Sequence, residues 1–167
     1  MPGAGTNQAT TIAEPPARCL DVTRLVSRVG RGPHTGIDRV EQAYLDHLLS
    51  QPVPLFLLCR TATGYVLLDR QGARALASRL AGAVTWGGPD LAGFLSRKLP
   101  APRRRAEADL RRLSVARGRR GRLARLLRAH LPRGTAYLNV GHSNLGPEVF
   151  EAWRSLPDAR VSVLVHD

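Results

Sequence analysis

An α/β fold, built on a mostly parallel sheet with helices on both faces, is predicted by three features of the sequence. Strand-like and helix-like segments alternate along the chain. Several strand-like runs are apolar throughout instead of alternating, so both of their faces must be covered. The chain has 167 residues, 43% of them hydrophobic, which is enough for one domain with a substantial core.

The elements follow in order. Residues 1–17 are small, polar and proline-bearing with no hydrophobic period, and read as a disordered tail ahead of a domain over 18–167. "RCLDVTRLV" (18–26) carries β-branched residues and leads to glycines at 30 and 32, the pattern of a strand entering a loop. Thr35 then caps a helix, because its hydroxyl can accept from the Asp38 N–H. Ile37, Val40, Tyr44 and Leu48 recur at helical spacing as the buried stripe of that helix. "VPLFLLCR" reads as a strand buried on both faces, and "GYVLLD" pairs with it or extends it.

Arg70–Leu80 sets Leu76 and Leu80 among alanines as a short helix. "AVTWGGPD" reads as strand and turn, with Asp90 capping "LAGFLSRKL". Further on, "GTAYLNVGHSN" is a strand running into a polar loop, "PEVFEAWRSL" a helix with Pro147 in its first turn, and "ARVSVLVHD" another apolar strand.

The net charge of +12 is local. Thirteen basic residues and only two acids lie between Arg97 and Arg128, a net of +11, so the rest of the chain is nearly neutral. Lys98 is the one lysine among 25 basic residues, which reflects a compositional bias as much as a demand for guanidinium chemistry. The segment 97–131, interrupted by Gly118 and Gly121, reads as an arginine-rich helical insert. Three readings stay open for it. It can bind nucleic acid through phosphates, although it lacks aromatic residues for stacking on bases. It can rest on anionic lipid, with Leu110, Leu113, Leu123, Leu126 and Leu127 as its apolar side. It can also simply be solvated.

Cys19 and Cys59 lack CxxC spacing and read as buried thiols of a reducing compartment. The N-terminus has no export signal, and no apolar run is long enough to span a membrane, so a cytoplasmic location is expected.

Three polar segments end predicted strands and are expected to converge on one edge of the sheet: Arg31–Arg39, Asn139–Asn144, and His166 with Asp167. In the first, Gly32, Thr35 and Gly36 surround a helix N-terminus, whose free N–H groups and positive dipole end attract anions. Asp38 and Glu41 either complement that dipole and pair with arginines such as Arg39, or serve a ligand. The spacing is neither GxGxxG nor a phosphate loop. Asn139, His142, Ser143 and Asn144 are donors suited to sugar hydroxyls or a phosphate, or else a turn that satisfies its own backbone. His166 reads as a base or as a histidine ending a strand.

The words "LDVTRLV", "HTGIDRVEQAYLDHLL", "CRTATGYVLLD", "YLNVGHSN" and "VLVHD", in that order, resemble bacterial family 4 glycosyltransferases of the GT-B fold. The likeness covers most of residues 19–167 apart from the arginine-rich segment, and "TGIDRVE" after "LDVTRL" is its most specific part. The resemblance implies a Rossmann-like N-terminal, acceptor-side domain, with the donor-binding C-terminal half missing and no turnover by this chain alone. It implies retaining transfer from a nucleotide-sugar, used as co-substrate without cofactor or metal, to a glycan or lipid-linked acceptor. A peripheral place on an anionic membrane face then fits the basic segment. His166 becomes a candidate catalytic group near the donor sugar. Gly32, Thr35 and Gly36 become a loop facing the donor phosphates. Asp38, Arg39, Asn139, His142, Ser143 and Asn144 become acceptor-side polar groups. The alternatives are an α/β nucleic-acid-binding module using the basic segment and a domain binding some other phosphorylated ligand.

Overall fold

A computed structural model of the chain describes residues 13–165. The elements are β1 (Arg18–Asp21), α1 (Thr23–Ser27), α2 (Gly36–Ser50), β2 (Leu55–Thr61), β3 (Gly64–Leu68), α3 (Arg70–Leu80) and α4 (Leu91–Leu95), followed by α5 (Ala101–Leu113), β4 (Ala116–Gly118), α6 (Leu123–His130), β5 (Ala136–Asn139), α7 (Pro147–Arg154) and β6 (Arg160–Val163). Six strands form one sheet in the order β4-β3-β2-β1-β5-β6. β1 is parallel to β2 and β5, and β5 is parallel to β6, while β3 runs antiparallel to β2 and to β4. The sheet is therefore mixed: β1, β2, β5 and β6 run parallel, as the sequence suggests, and β3 is reversed between β2 and β4. The reason is local: only Ala62 and Thr63 join β2 to β3, and so short a link closes a hairpin, not a crossover.

Helices cover both faces. On one, Leu20, Leu57, Cys59, Val66 and Leu68 of the sheet pack with Leu25, Leu45, Leu76 and Leu110 of α1, α2, α3 and α5. On the other, Cys19, Leu58, Tyr65, Leu67 and Tyr137 meet Leu126 and Leu127 of α6 and Val149 and Trp153 of α7. Neighbouring residues of β2 go to opposite cores, which is why its run is apolar throughout. The Tyr137 and Trp153 rings stack 4.6 Å apart, worth about 1 kcal/mol beyond the area they bury. Both cysteines are free and buried. Among the described residues no helix is long and apolar enough to cross a membrane.

Several elements differ from the sequence reading. β1 ends at Asp21, and residues 23–27 form a helical turn instead of continuing the strand, because the Asp21 carboxylate accepts the Thr23 N–H at 2.9 Å and bends the chain. The stretch 83–90 is not a strand; Arg105 holds the Trp86 and Gly87 carbonyls and Asp109 takes the Gly87 N–H, winding the stretch against α5. β6 has all four residues exposed, so it is an edge strand, not a buried one. The expected tail lies largely outside the described residues, but Ala17 is buried and its carbonyl accepts the Ala136 N–H, so the packed domain begins before Arg18.

The basic segment belongs to the fold and is not added to it. α5 lies on one face of the sheet, β4 pairs with β3, and α6 lies on the other face. Its two acids are buried and paired: Glu107 with Arg103 at 3.1 Å, and Asp109 with Arg79 and Arg112 at 2.8 Å each. Arg111, 5% exposed, forms two bonds to Asp90 at 2.6 and 2.7 Å. The Arg111 guanidinium holds the Asp90 carboxyl down at about 2. Much of the arginine in α5 therefore clamps the chain to itself.

Candidate functional site

Asp21 ends β1 at the point where the strand order reverses, with β2 on one side and β5 on the other. Loops diverge at such a point and open a crevice beyond the carboxyl ends. Asp21 is 1% exposed and holds that edge together. One oxygen accepts the Thr23 N–H; the other accepts the Tyr137 hydroxyl at 2.9 Å and the Asn144 amide at 2.8 Å. Asn139 donates to the Tyr137 hydroxyl at 3.0 Å and to the Ser143 carbonyl at 2.7 Å, and Tyr65 donates to the Asn144 side-chain oxygen at 3.2 Å. Burial pushes the Asp21 carboxyl up, and the Asn144, Thr23 and Tyr137 donors work against that.

The loop after β5 takes its shape from two residues that are not glycine. His142 and Asn144 adopt left-handed conformations, with φ of 53° and 59°. Gly141 has no such φ, and its role is space: a Cβ there would lie 2.7 Å from a Glu41 carboxylate oxygen and 3.0 Å from the Arg24 Cβ. His142 is exposed, and its ring nitrogen meets the Leu164 carbonyl beyond β6. Asn139, Ser143 and Asn144 thus serve the loop's own hydrogen bonding, while Ser143 and Asn144 also line the crevice.

That crevice, about 450 Å³, takes Thr23 and Ser27 from α1, Arg60, Thr61 and Ala62 from the end of β2, Leu99 and Arg103 at the start of α5, Arg120, and Ser143 and Asn144. It therefore combines hydroxyls, an amide and three guanidiniums at the switch point, the inventory for binding a polyhydroxylated anion. A second basic concavity, about 620 Å³, lies at the β4 and α6 edge and is lined by Arg117, Arg119, Arg122, Arg125 and His130, with no hydroxyl or amide side chain.

The N-terminus of α2 is different from the anion cradle that the sequence suggests. Thr35 accepts the Asp38 N–H at 3.4 Å, Asp38 accepts the Thr35 N–H at 2.8 Å, and Arg24 and Arg28 pair with Asp38 at 3.0 and 3.3 Å. The position an anion would take is filled by the chain's own carboxylate. Burial raises the Asp38 carboxyl, but the Thr35 groups and the two guanidiniums outweigh it and hold it below the usual range. Gly32, Thr35 and Gly36 are exposed, with φ of 84° at Gly32 and open space around Gly36. Arg39 is exposed and outside the Asp38 cluster.

The buried stripe of α2 is accordingly Asp38, Glu41, Leu45 and Leu48; Leu48 is buried as expected, while Ile37 and Val40 are half-buried and Tyr44 is exposed. Both sets keep helical spacing, and one residue of difference turns the face by about 100°. The Arg24 and Arg28 pairs fix that turn, and Tyr44 is left 36% exposed. Glu41 is fully buried, and neither oxygen has a partner at hydrogen-bonding geometry. Burial, then the neighbouring Asp21, push its carboxyl up to about 8, while Arg24 opposes and the Leu25 N–H lies near enough to help lower it. Glu41, not Gly36, is what brings α2 against the loop after β5.

His166 and Asp167 lie outside the described residues. Among those described, no group of three or more His, Cys, Asp or Glu is placed to hold a metal ion. No family model, curated protein or solved structure matches the chain.

Proposed function

We propose that this chain is the acceptor-side domain of a retaining, nucleotide-sugar-dependent glycosyltransferase, and that the crevice at the carboxyl ends of β1, β2 and β5 receives the acceptor. One observation carries the reading: hydroxyls and an amide from α1, β2 and the loop after β5 converge with arginines at the switch point of the sheet. The order of the motifs around "TGIDRVE" supports the same family.

In this reading Thr23, Ser27, Ser143 and Asn144 orient sugar hydroxyls, and the Asp21 network keeps Asn144 from turning away. The arginines attract a negatively charged group carried by the acceptor. Asp38 and Arg39 do not line that crevice.

Saturation-transfer NMR on the full chain, with free oligosaccharides and a panel of nucleotide-sugars, tests this. Saccharide protons are expected to take up saturation, with the effect reduced in Ser143→Ala. Stronger saturation of the nucleotide base than of the sugar, or none on any saccharide, would remove the glycosyltransferase reading in favour of another phosphorylated ligand.

A further inference from the structure

Three guanidiniums reach the crevice from three separate elements. Arg60 is the penultimate residue of β2, Arg103 lies in the first turn of α5, and Arg120 lies in the link between β4 and α6. Arg103 commits its Nε to Glu107. Neither Arg60 nor Arg120 has a carboxylate within ion-pairing distance among the described residues.

The walls that carry them are braced. Glu107 accepts the Ala62 N–H at 3.0 Å as well as the Arg103 guanidinium, tying the end of β2 to α5. Glu148 of α7 accepts the Gly121 N–H at 2.6 Å, pinning the link beside Arg120. Burial and then Glu148 push up the pKa of Tyr65, whose hydroxyl bonds Asn144, while Arg60 and Arg120 act against them. Like charges lining one crevice with fixed walls repel each other, and a bound dianion relieves that repulsion while taking several N–H donors at once.

We propose that the ligand of this crevice carries a phosphate or diphosphate ester beside its sugar, held by Arg60, Arg103 and Arg120. This rests on the acceptor reading above and narrows it to a glycosyl phosphate, soluble or lipid-linked. The outer groove offers arginines but no hydroxyl or amide, so it presents a field and not a seat for a sugar phosphate. Salt screens such a field more than it screens a bidentate contact in a cleft.

The test is calorimetric titration of the full chain at physiological ionic strength with glucose, inorganic phosphate, pyrophosphate and glucose 1-phosphate, together with sedimentation on phosphatidylglycerol vesicles. Glucose 1-phosphate is expected to bind at least tenfold tighter than glucose or phosphate. The double variant Arg60→Gln, Arg120→Gln is expected to weaken it tenfold or more. Both residues are exposed, so an unchanged unfolding midpoint shows that the fold is intact. The variant Arg125→Gln, Arg128→Gln removes equal charge elsewhere and is expected to change affinity less than twofold.

Equal losses in both double variants, or none in the first, overturn the proposal. Glucose binding as tightly as glucose 1-phosphate also overturns it while leaving the glycosyltransferase reading in place. Pyrophosphate binding as tightly as glucose 1-phosphate, and lost with Arg60 and Arg120, supports the phosphate seat while counting against a sugar beside it. Vesicle binding with the same Arg60 and Arg120 dependence supports a lipid-borne phosphate, and its absence a soluble one. Vesicle binding that depends only on Arg125 and Arg128, with no soluble phosphate bound, overturns the seat.

Discussion

Asp21→Ala is expected to lower stability by about 3 kcal/mol and the unfolding midpoint by about 6–12 °C. The carboxylate accepts three hydrogen bonds, from Thr23, Tyr137 and Asn144, and the last two donors are buried. Removing the acceptor leaves the Tyr137 hydroxyl and the Asn144 amide N–H without that partner in a place water does not reach, and the cost of leaving them unpaired is expected to exceed the relief of no longer burying the carboxyl. The loop after β5 then loses its anchor, so binding in the crevice falls with stability. Asp21→Asn keeps one oxygen for Tyr137 and Asn144 but turns an NH2 toward the Thr23 N–H, and is expected to cost about half as much. Thermal unfolding of the three proteins decides it; Asp21→Ala within 1 kcal/mol of the unchanged chain would show that the network is slack.

Glu41→Gln is expected to stabilise the protein at alkaline pH. The folded carboxyl sits at about 8 against an ordinary value of 4.5, so between those two values the folded state holds a proton that the unfolded state has released. Stability therefore falls as pH rises through that window, with a limiting slope of about 1.4 kcal/mol per pH unit. The Asp38, Asp90 and Asp109 carboxyls are lowered, and their contributions are lost on the acid side. Urea unfolding at pH 5.5 and pH 8.5 should show the unchanged chain losing roughly 2–4 kcal/mol that Glu41→Gln keeps. Parallel losses in both proteins would place the titration elsewhere.

Features set by neighbouring residues were legible in the sequence. The Thr35 and Asp90 caps and the Pro147 helix start each depend on atoms within three residues, and all three are present. The face that α2 buries depends on Arg24 and Arg28, fourteen and ten residues before Asp38, and spacing alone favours Ile37 and Tyr44 about as well. The basic segment carried its signal in Ala106, Leu110, Leu123 and Leu127 at helical spacing, masked by the arginines between them. Within the site, Asn139, Ser143 and Asn144 stood out as a polar cluster after a strand. Asp21 did not, because "RCLDVTRLV" reads as one unbroken strand and nothing local marks the acid as its end. The hairpin had one visible cue in Gly64, the first residue after its two-residue link, whose φ of 135° favours glycine.

The account rests on the crevice at the carboxyl ends of β1, β2 and β5 being where ligand binds, with the helix N-terminus at Gly36 already filled by Asp38. Amide chemical-shift mapping of the labelled chain during titration with glucose 1-phosphate is the direct measurement. Shifts centred on Thr23, Ser27, Thr61, Ser143 and Asn144 are the expected result. Shifts centred on Gly36 to Asp38, or on Arg117 to Ala129, with those five amides unmoved, would contradict it.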